Sequence, residues 1–359
     1  MGVNLKGIKP VKVSTDLSSY STLIYGEPKI GKTTFVHDLY GDRVLMLMTE
    51  KRYKTLGGAH VQYIGNWTEF TTALVQLRDP AVKEMYDVVA IDTIDNLFGF
   101  YESYVASKYN EKMIGENSNI YGKDWTEMRK GWKDNLLKIE RAGYVPVFVS
   151  HAVQQTVQIP KSAVVESEAS ELTSYQEVQG KKDNKTYLEF QKFVPSLRDK
   201  DMAPINKMVD NILFLSTTSD EQGNEHRVIY TRGNLQWLAG STFKDIKPMM
   251  PLDANEYRNA MSEAIAKIDK ASLTDERQAD IDVQPDVLDY NALMSELKTL
   301  GVAINKAGHK DRVVSLSDEI FGLGVKMTDA QPRQVELVAA AVEQLKALAK
   351  ELGVEYGKK

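Results

Sequence analysis

The stretch "STLIYGEPKIGKTTFVHDLYGDRVLMLMTE", Ser21 to Glu50, decides how the rest of the chain is read. An apolar run with strand character, "STLIY", breaks into glycine, proline and lysine and passes straight into the helix-like "TTFVHDLY". Between them, Gly26-Glu27-Pro28-Lys29-Ile30-Gly31-Lys32-Thr33 satisfies GxxxxGK[ST] at every fixed position. The glycines let backbone N–H groups turn inward around phosphates, Lys32 puts a charge on the β and γ oxygens, and Thr33 offers a hydroxyl to Mg²⁺. Strand–loop–helix order places the anion at a helix N-terminus, where Thr34 completes the phosphate-binding segment. The expected ligands are ATP and Mg²⁺; no guanine-reading NKxD is present.

Working outward, the 359 residues suggest two domains, or one large domain with an appendage. Hydrophobic content of 42% supports a real core. No run of eighteen apolar residues exists, and "MGVNLKGIKPVKVS" lacks the apolar segment of a signal peptide, so a soluble, intracellular protein is expected. Zero cysteines exclude disulfides, thiolate metal sites and cysteine nucleophiles. The five histidines show no metal-ligand spacing, so a metal should arrive with a ligand. A net charge of -5 argues against a globally basic nucleic-acid binder but leaves room for a local basic groove.

Short β-branched runs alternate with helical stretches up to residue 270, the pattern of an α/β domain with a largely parallel sheet. Candidate strands are Thr22–Tyr25, Arg43–Thr49, His60–Ile64, Asp87–Ile91 and Val145–Ser150. "DVVAID" and "VPVFVS" are apolar throughout, as expected when helices cover both sheet faces. "NILFLSTTSDEQGNEHRVIYTRG" reads as a hairpin, giving the sheet an antiparallel edge. Residues 156–186 are polar and poorly periodic and read as a long mobile loop. Residues 271–286 read as an acidic linker to an all-helical domain over 287–359. There Tyr290, Leu293, Met294, Leu297 and Leu300 keep helical spacing and end on Gly301, and a second stripe from Val335 to Leu352 ends on Gly353.

Two acids complete the candidate site. Asp92 closes the buried run "YDVVAID", where a Walker-B carboxylate would meet the Mg²⁺; Asp92, Thr93 and Asp95 also suit a helix N-cap, and Asp95 reads as a cap or surface acid. A hydrolytic motor needs an extra strand between the phosphate-loop and Walker-B strands, and "RVLMLMTE" supplies one between them in sequence. It ends at Glu50, at the ligand-binding edge of a parallel sheet, so Glu50 is the candidate base for water. A solvated acid beside Lys51 and Arg52 is the alternative.

The order of phosphate loop, Glu50, "VVAIDTID" and "VPVFVSHA" resembles RecA-like ATPases. More narrowly, with "NIYGKDW" and "RVIYTRGNLQWLAGSTF", it resembles the phage-encoded members of single-strand annealing and recombination, often described as phage AAA-family nucleotide-binding proteins. The resemblance spans Ser21 to Phe243. It implies that Glu50 is the catalytic glutamate, Asp92 the Walker-B aspartate, and His151 the polar residue that senses the γ-phosphate and signals to DNA-binding loops; a structural histidine is the alternative. The loop after His151 would hold single-stranded DNA. Its first part is acidic, through Glu166, Glu168 and Glu171; Lys181, Lys182, Lys185, Lys192, Arg198 and Lys200 could meet phosphates. Tyr187, Phe190 and Phe193 could stack on bases, or "KTYLEFQKF" could be an ordinary amphipathic strand. The resemblance also implies a homo-oligomer, ring or filament, with a cation completing the site in trans; Arg232 and Arg198 are candidates, or surface residues. The helical tail could contact a single-strand-binding protein or stabilise the fold. A phage protein of this kind would work in the host cytoplasm and hydrolyse ATP while pairing DNA strands, with a helicase- or loader-type motor or a nucleotide-dependent scaffold as alternatives.

Overall fold

The computed structural model describes residues 10–116, 121–165, 172, 174–180, 183, 185–268, 270–278 and 289–356. The chain divides into a large unit, Pro10–Asp282, and a C-terminal unit described over 289–356.

In the large unit, β2 (Thr22–Gly26), β3 (Val44–Met48), β4 (His60–Tyr63), β5 (Val88–Asp92), β6 (Val145–Pro160) and β9 (Asn211–Ser219) lie parallel in the order β4-β3-β5-β6-β2-β9. The expected antiparallel edge follows: β10 (Glu225–Tyr230) returns beside β9, and β11 (Gly240–Ser241) and β12 (Met249–Pro251) extend it. One expectation changes. The strand ending at Glu50 lies on the far side of β5, and the strand between β2 and β5 is β6. Chain order and sheet order differ because each parallel neighbour needs a crossover long enough to span other strands.

Unbroken apolar strands follow from helices on both faces. Val88 and Ala90 of β5 point into one core with Ile24, Val147 and the side chains of α1 (Lys32–Tyr40), such as Phe35 and Leu39. Val89 and Ile91 point the other way. They meet Phe70 of α2 (Trp67–Gln76), Phe98 of α4 (Ile94–Lys108), Trp132 of α5 (Lys123–Arg141) and Ile205 of α6 (Asp199–Met208). A short α3 (Pro80–Met85) leads into β5, and α7 (Ala254–Ala266) packs beside α1.

Past His151, β6 does not give way to a loop. It runs 16 residues, its outer half pairing antiparallel with β8 (Thr186–Pro195), which pairs in turn with β7 (Gln176–Gln179). The expected mobile loop 156–186 is therefore largely a three-stranded arm where it is described; residues 166–171, 173, 181, 182 and 184, with Glu166, Glu168, Glu171, Lys181 and Lys182, lie outside the described residues. Alternation explains the difference: Val157, Ile159, Leu188 and Phe190 share one face and close a small apolar cluster.

The linker also shortens. β13 (Leu273–Thr274) pairs with β1 (Val13–Ser14), and Arg277 donates to the carbonyls of Ser18, Asp87 and Gly143 at 3.2, 2.7 and 3.1 Å. Residues 270–278 thus belong to the large unit, and 279–288 lie outside the described residues.

The C-terminal unit packs α8 (Tyr290–Lys306), α9 (Lys310–Phe321) and α10 (Val335–Glu351) around Leu297, Leu300, Val342 and Leu345. α8 continues through Gly301, where a stop was expected. Ile304 extends the buried stripe by one turn, and its burial offsets a mid-helix glycine cost of about 1 kcal/mol. α10 ends at Gly353, φ 65°, as its sequence suggests. No helix among the described residues is long and apolar enough to cross a membrane.

Candidate nucleotide-binding site

The carboxyl ends of the parallel strands align by register: Gly26 stands opposite His151, and Met48 opposite Asp92. Thr49 locks β3 to β5 there, its N–H donating to the Asp92 carbonyl at 2.8 Å and its hydroxyl accepting from the Thr93 N–H at 2.9 Å. The resulting cleft, about 270 Å³, is bounded by the phosphate loop, Glu50, Asp92 and His151.

The phosphate loop fits its glycines tightly. A Cβ on Gly26 would stand 2.4 Å from the Leu215 carbonyl oxygen of β9, and Gly31 adopts φ 116° as it opens α1. Lys32, 7% exposed, folds back to donate to the carbonyls of Gly26 and Glu27 at 2.8 and 2.9 Å. Burial lowers its pKa, while Asp92, Asp95, Glu50 and Glu27 pull the other way. Such an ammonium gains most from an anion that replaces the two carbonyls.

Asp92 is buried and accepts from the Thr33 hydroxyl at 2.6 Å. Burial raises its pKa, and the Thr33 hydrogen bond and Lys32 lower it in part. Hydroxyl and carboxylate together are the hard oxygen pair that Mg²⁺ prefers. Thr93 also lines the cleft, and its Oγ1 is buried without a hydrogen-bond partner. The residues present therefore suit MgATP. The metal and phosphate roles expected of Thr33, Asp92 and Lys32 belong to side chains that the fold brings together.

Glu50 lies in the same cleft. Its Oε1 accepts from Asn96 Nδ2 at 3.1 Å, and its Oε2 meets Nε of the exposed Arg52 at 3.2 Å, so each oxygen of the partly exposed carboxylate has a partner. Arg52 also lines the cleft. Neither Asn96 nor Arg52 was expected to matter, since a first-turn helix asparagine and a loop arginine carry no motif.

His151 and Asp95 revise another expectation. Asp95 is neither a helix cap nor a surface acid. Its Oδ2 accepts from the His151 N–H at 2.9 Å and stands 2.8 Å from His151 Nδ1, while its Oδ1 accepts from the Ser150 hydroxyl at 2.6 Å. One carboxylate thus fixes the middle of β6 and leaves Nε2 as the imidazole's other polar atom. The signal was present as a polar "SH" in an apolar strand, but its partner, 55 residues away, could not be read from spacing.

The arginines and aromatics fall elsewhere. Arg232 does not line the cleft; its guanidinium donates to the carbonyls of Ser241, Phe243 and Lys244. Arg198 pairs with Asp201 at 2.6 Å and with Glu102 at 3.4 Å. Phe190 is buried in the arm's cluster, Phe193 stacks on Phe214 at 5.4 Å, and the Tyr187 hydroxyl donates to Asp183 at 2.6 Å. The aromatics expected as base-stacking faces are thus engaged within the chain, as an amphipathic strand requires. Lys185 remains exposed, and Lys192 is half-buried with its pKa lowered by burial.

A phosphate loop, an aspartate closing the strand one removed from it, and an acid just past the end of the strand after that fit a nucleotide-binding P-loop core on a mostly parallel sheet. Residues 18–243, more than half of the chain, match the family described as an AAA domain, and the chain belongs to that family. It is similar to the SPbeta prophage-derived uncharacterized protein YorG of Bacillus subtilis (strain 168), at 24% identity over 350 residues, covering 94% of this chain and 96% of that protein.

Proposed function

We propose that the protein hydrolyses MgATP and uses the cycle to act on single-stranded DNA, promoting annealing or strand pairing, as a phage-encoded homo-oligomer. The observation that carries hydrolysis is Glu50, held by Asn96 and Arg52 in the cleft that contains Lys32, Thr33 and Asp92. A carboxylate there has the chemistry to accept a proton from an attacking water, a role worth about 10²- to 10⁴-fold in rate. Lys32 and the N–H groups that open α1 would hold the β and γ phosphates. Thr33 and Asp92 would hold Mg²⁺, which when bound neutralises charge on the phosphate oxygens. His151, oriented through Nδ1 by Asp95 and lining the cleft, would contact the terminal phosphate through Nε2.

Coupling to DNA is supported by β6. A single strand carries His151 at the cleft and, beyond it, the outer half that builds the arm. The similarity to a prophage-derived protein supports the phage setting, and a single-strand-binding protein is a natural partner for such an activity.

Glu50→Gln retains ATP binding and loses at least 99% of hydrolysis, about the 10² floor of the general-base effect; unchanged turnover removes Glu50 from the role. Hydrolysis measured with and without single-stranded DNA, beside the annealing rate of complementary strands, tests the rest. Stimulation without annealing points to a helicase- or loader-type motor. Neither effect points to a nucleotide-dependent scaffold.

A further inference from the structure

Helices α5 and α6 lie against each other and leave a groove made of two adjoining hollows, about 620 and 520 Å³, that share Arg129, Lys200 and Asp201. Along α5, Trp125, Arg129 and Lys133 follow at four-residue steps, which puts them on one face about 6 Å apart along the axis. Lys200 and Lys207 line the α6 side. All four of these cations are exposed, and among the described residues none has a hydrogen-bond or ion-pair partner. Trp125 is 37% exposed, whereas Trp67 and Trp132 are buried.

Side chains this long and this free of partners, arranged in a row, are suited to a repeating anion. The acids present do not cancel them. Asp201 is taken by Arg198 at 2.6 Å, leaving Asp199 and Glu140, of which Glu140 is itself engaged within the chain. Five cations face three carboxylates in a chain whose net charge is -5. The exposed indole at one end supplies a flat face of the kind on which an unpaired base stacks, independent of sequence.

We propose that the α5–α6 groove is where the chain holds a single nucleic-acid strand, with Arg129, Lys133, Lys200 and Lys207 on its phosphates and Trp125 stacked on a base. This rests on the single-strand reading above and moves the contact off the arm, whose aromatics are already packed. It also keeps the contact near the nucleotide: α6 begins four residues after the end of β8, the strand paired with the outer half of β6.

The test uses the full chain with Mg²⁺ and a slowly hydrolysed ATP analogue. A fluorescein-labelled oligothymidylate is titrated by anisotropy across NaCl concentrations. Removing all four cations (R129A/K133A/K200A/K207A) weakens binding at least tenfold at low salt and flattens the salt slope by about 3, since each single-strand phosphate contact contributes about 0.7. Trp125→Ala weakens binding about 5- to 160-fold with little change of slope, and Trp125→Phe restores most of it. ATP affinity stays at the wild-type value in all three, as exposed positions outside the cleft require. If the wild type binds and both the quadruple variant and Trp125→Ala match it in affinity and slope, the groove is wrong and the single-strand reading stands. If the wild type fails to bind oligothymidylate in every nucleotide state, the reading falls and takes the proposal with it. Binding of polyglutamate through these cations, with none of the oligonucleotide, overturns the proposal in favour of an acidic protein partner.

Discussion

Asp95→Asn isolates the charge that steadies His151. The amide keeps the size of the carboxylate and one oxygen, which can take the place of Oδ2 and go on accepting from the His151 N–H, now at 2.9 Å. Its NH₂ then faces the Ser150 hydroxyl, which already has a second acceptor in the His151 carbonyl at 3.1 Å. The strand is kept and the negative charge is lost. Hydrogen bonds to an ionised group contribute about 1.5–3 kcal/mol and neutral ones about 0.5–1.5, so the loss is about 1–1.5 kcal/mol. A step that depends on a fixed His151 slows about 5- to 12-fold, at 1.36 kcal/mol per factor of ten. Asp95→Ala is harsher: it leaves the His151 strand N–H without its acceptor, at about 1–3 kcal/mol, removes one of the two acceptors of the fully buried Ser150 hydroxyl, and lowers the melting temperature by several degrees. Steady-state hydrolysis with and without single-stranded DNA, beside thermal unfolding, reads both effects. Wild-type turnover and full DNA response in Asp95→Asn, or wild-type melting in Asp95→Ala, would refute the positioning role.

Three further outcomes follow from the same contacts. Burial raises the Asp92 pKa, so the folded, nucleotide-free chain holds a proton that the unfolded chain gives up near the ordinary aspartate value, and stability falls as pH rises across that window. Asp92→Asn removes this slope and is the more stable chain at neutral pH while binding MgATP less tightly; urea melts at acid and neutral pH that show a steeper loss in the variant contradict it. Arg232→Ala frees three carbonyls and lowers stability by about 2–4 kcal/mol with turnover per folded chain unchanged. Wild-type melting with lost hydrolysis, rescued by mixing with Glu50→Gln chains, would instead support a role for Arg232 in trans. Gly26→Ala forces a Cβ against the Leu215 carbonyl and costs about 1–3 kcal/mol, and ATP affinity falls with it; calorimetry showing an unchanged melting point and affinity would mean that β9 yields freely.

The phosphate loop was legible because its chemistry is local: glycines, lysine and threonine act within one turn of chain. The strands were legible because Val88 to Ile91 and Val145 to Val149 are apolar on both faces, a pattern that few other environments select. What stayed hidden was pairing over distance. Sheet order cannot be read from chain order, so the strand between β2 and β5 was misassigned. Asp95 has the look of a first-turn acid until β6 is placed beside it. The first part of the arm was mistaken for a loop because only alternate residues of "TVQIP" are apolar, and one buried face among polar neighbours reads as low hydrophobicity until the strands are paired; the amphipathic-strand reading of "KTYLEFQKF" is the one its pairing with β6 bears out. Gly301 misled in the opposite sense, since a glycine stop is a local preference that Ile304 overrides through packing.

The continuity of β6 has a mechanical side. At about 3.3 Å per residue, the nine residues from Ala152 to Pro160 reach some 30 Å past the cleft. Because the same strand is paired with β5 up to Val149 and with β2 up to His151, and only with β8 beyond it, rotation at the clamp has no hinge loop in which to dissipate. A tilt of about 5° there, too small to break a backbone hydrogen bond, would carry the far tip some 2–3 Å. If His151 reads the γ-phosphate as proposed, its gain or loss would be amplified by leverage alone, with no part of the arm needing to unfold.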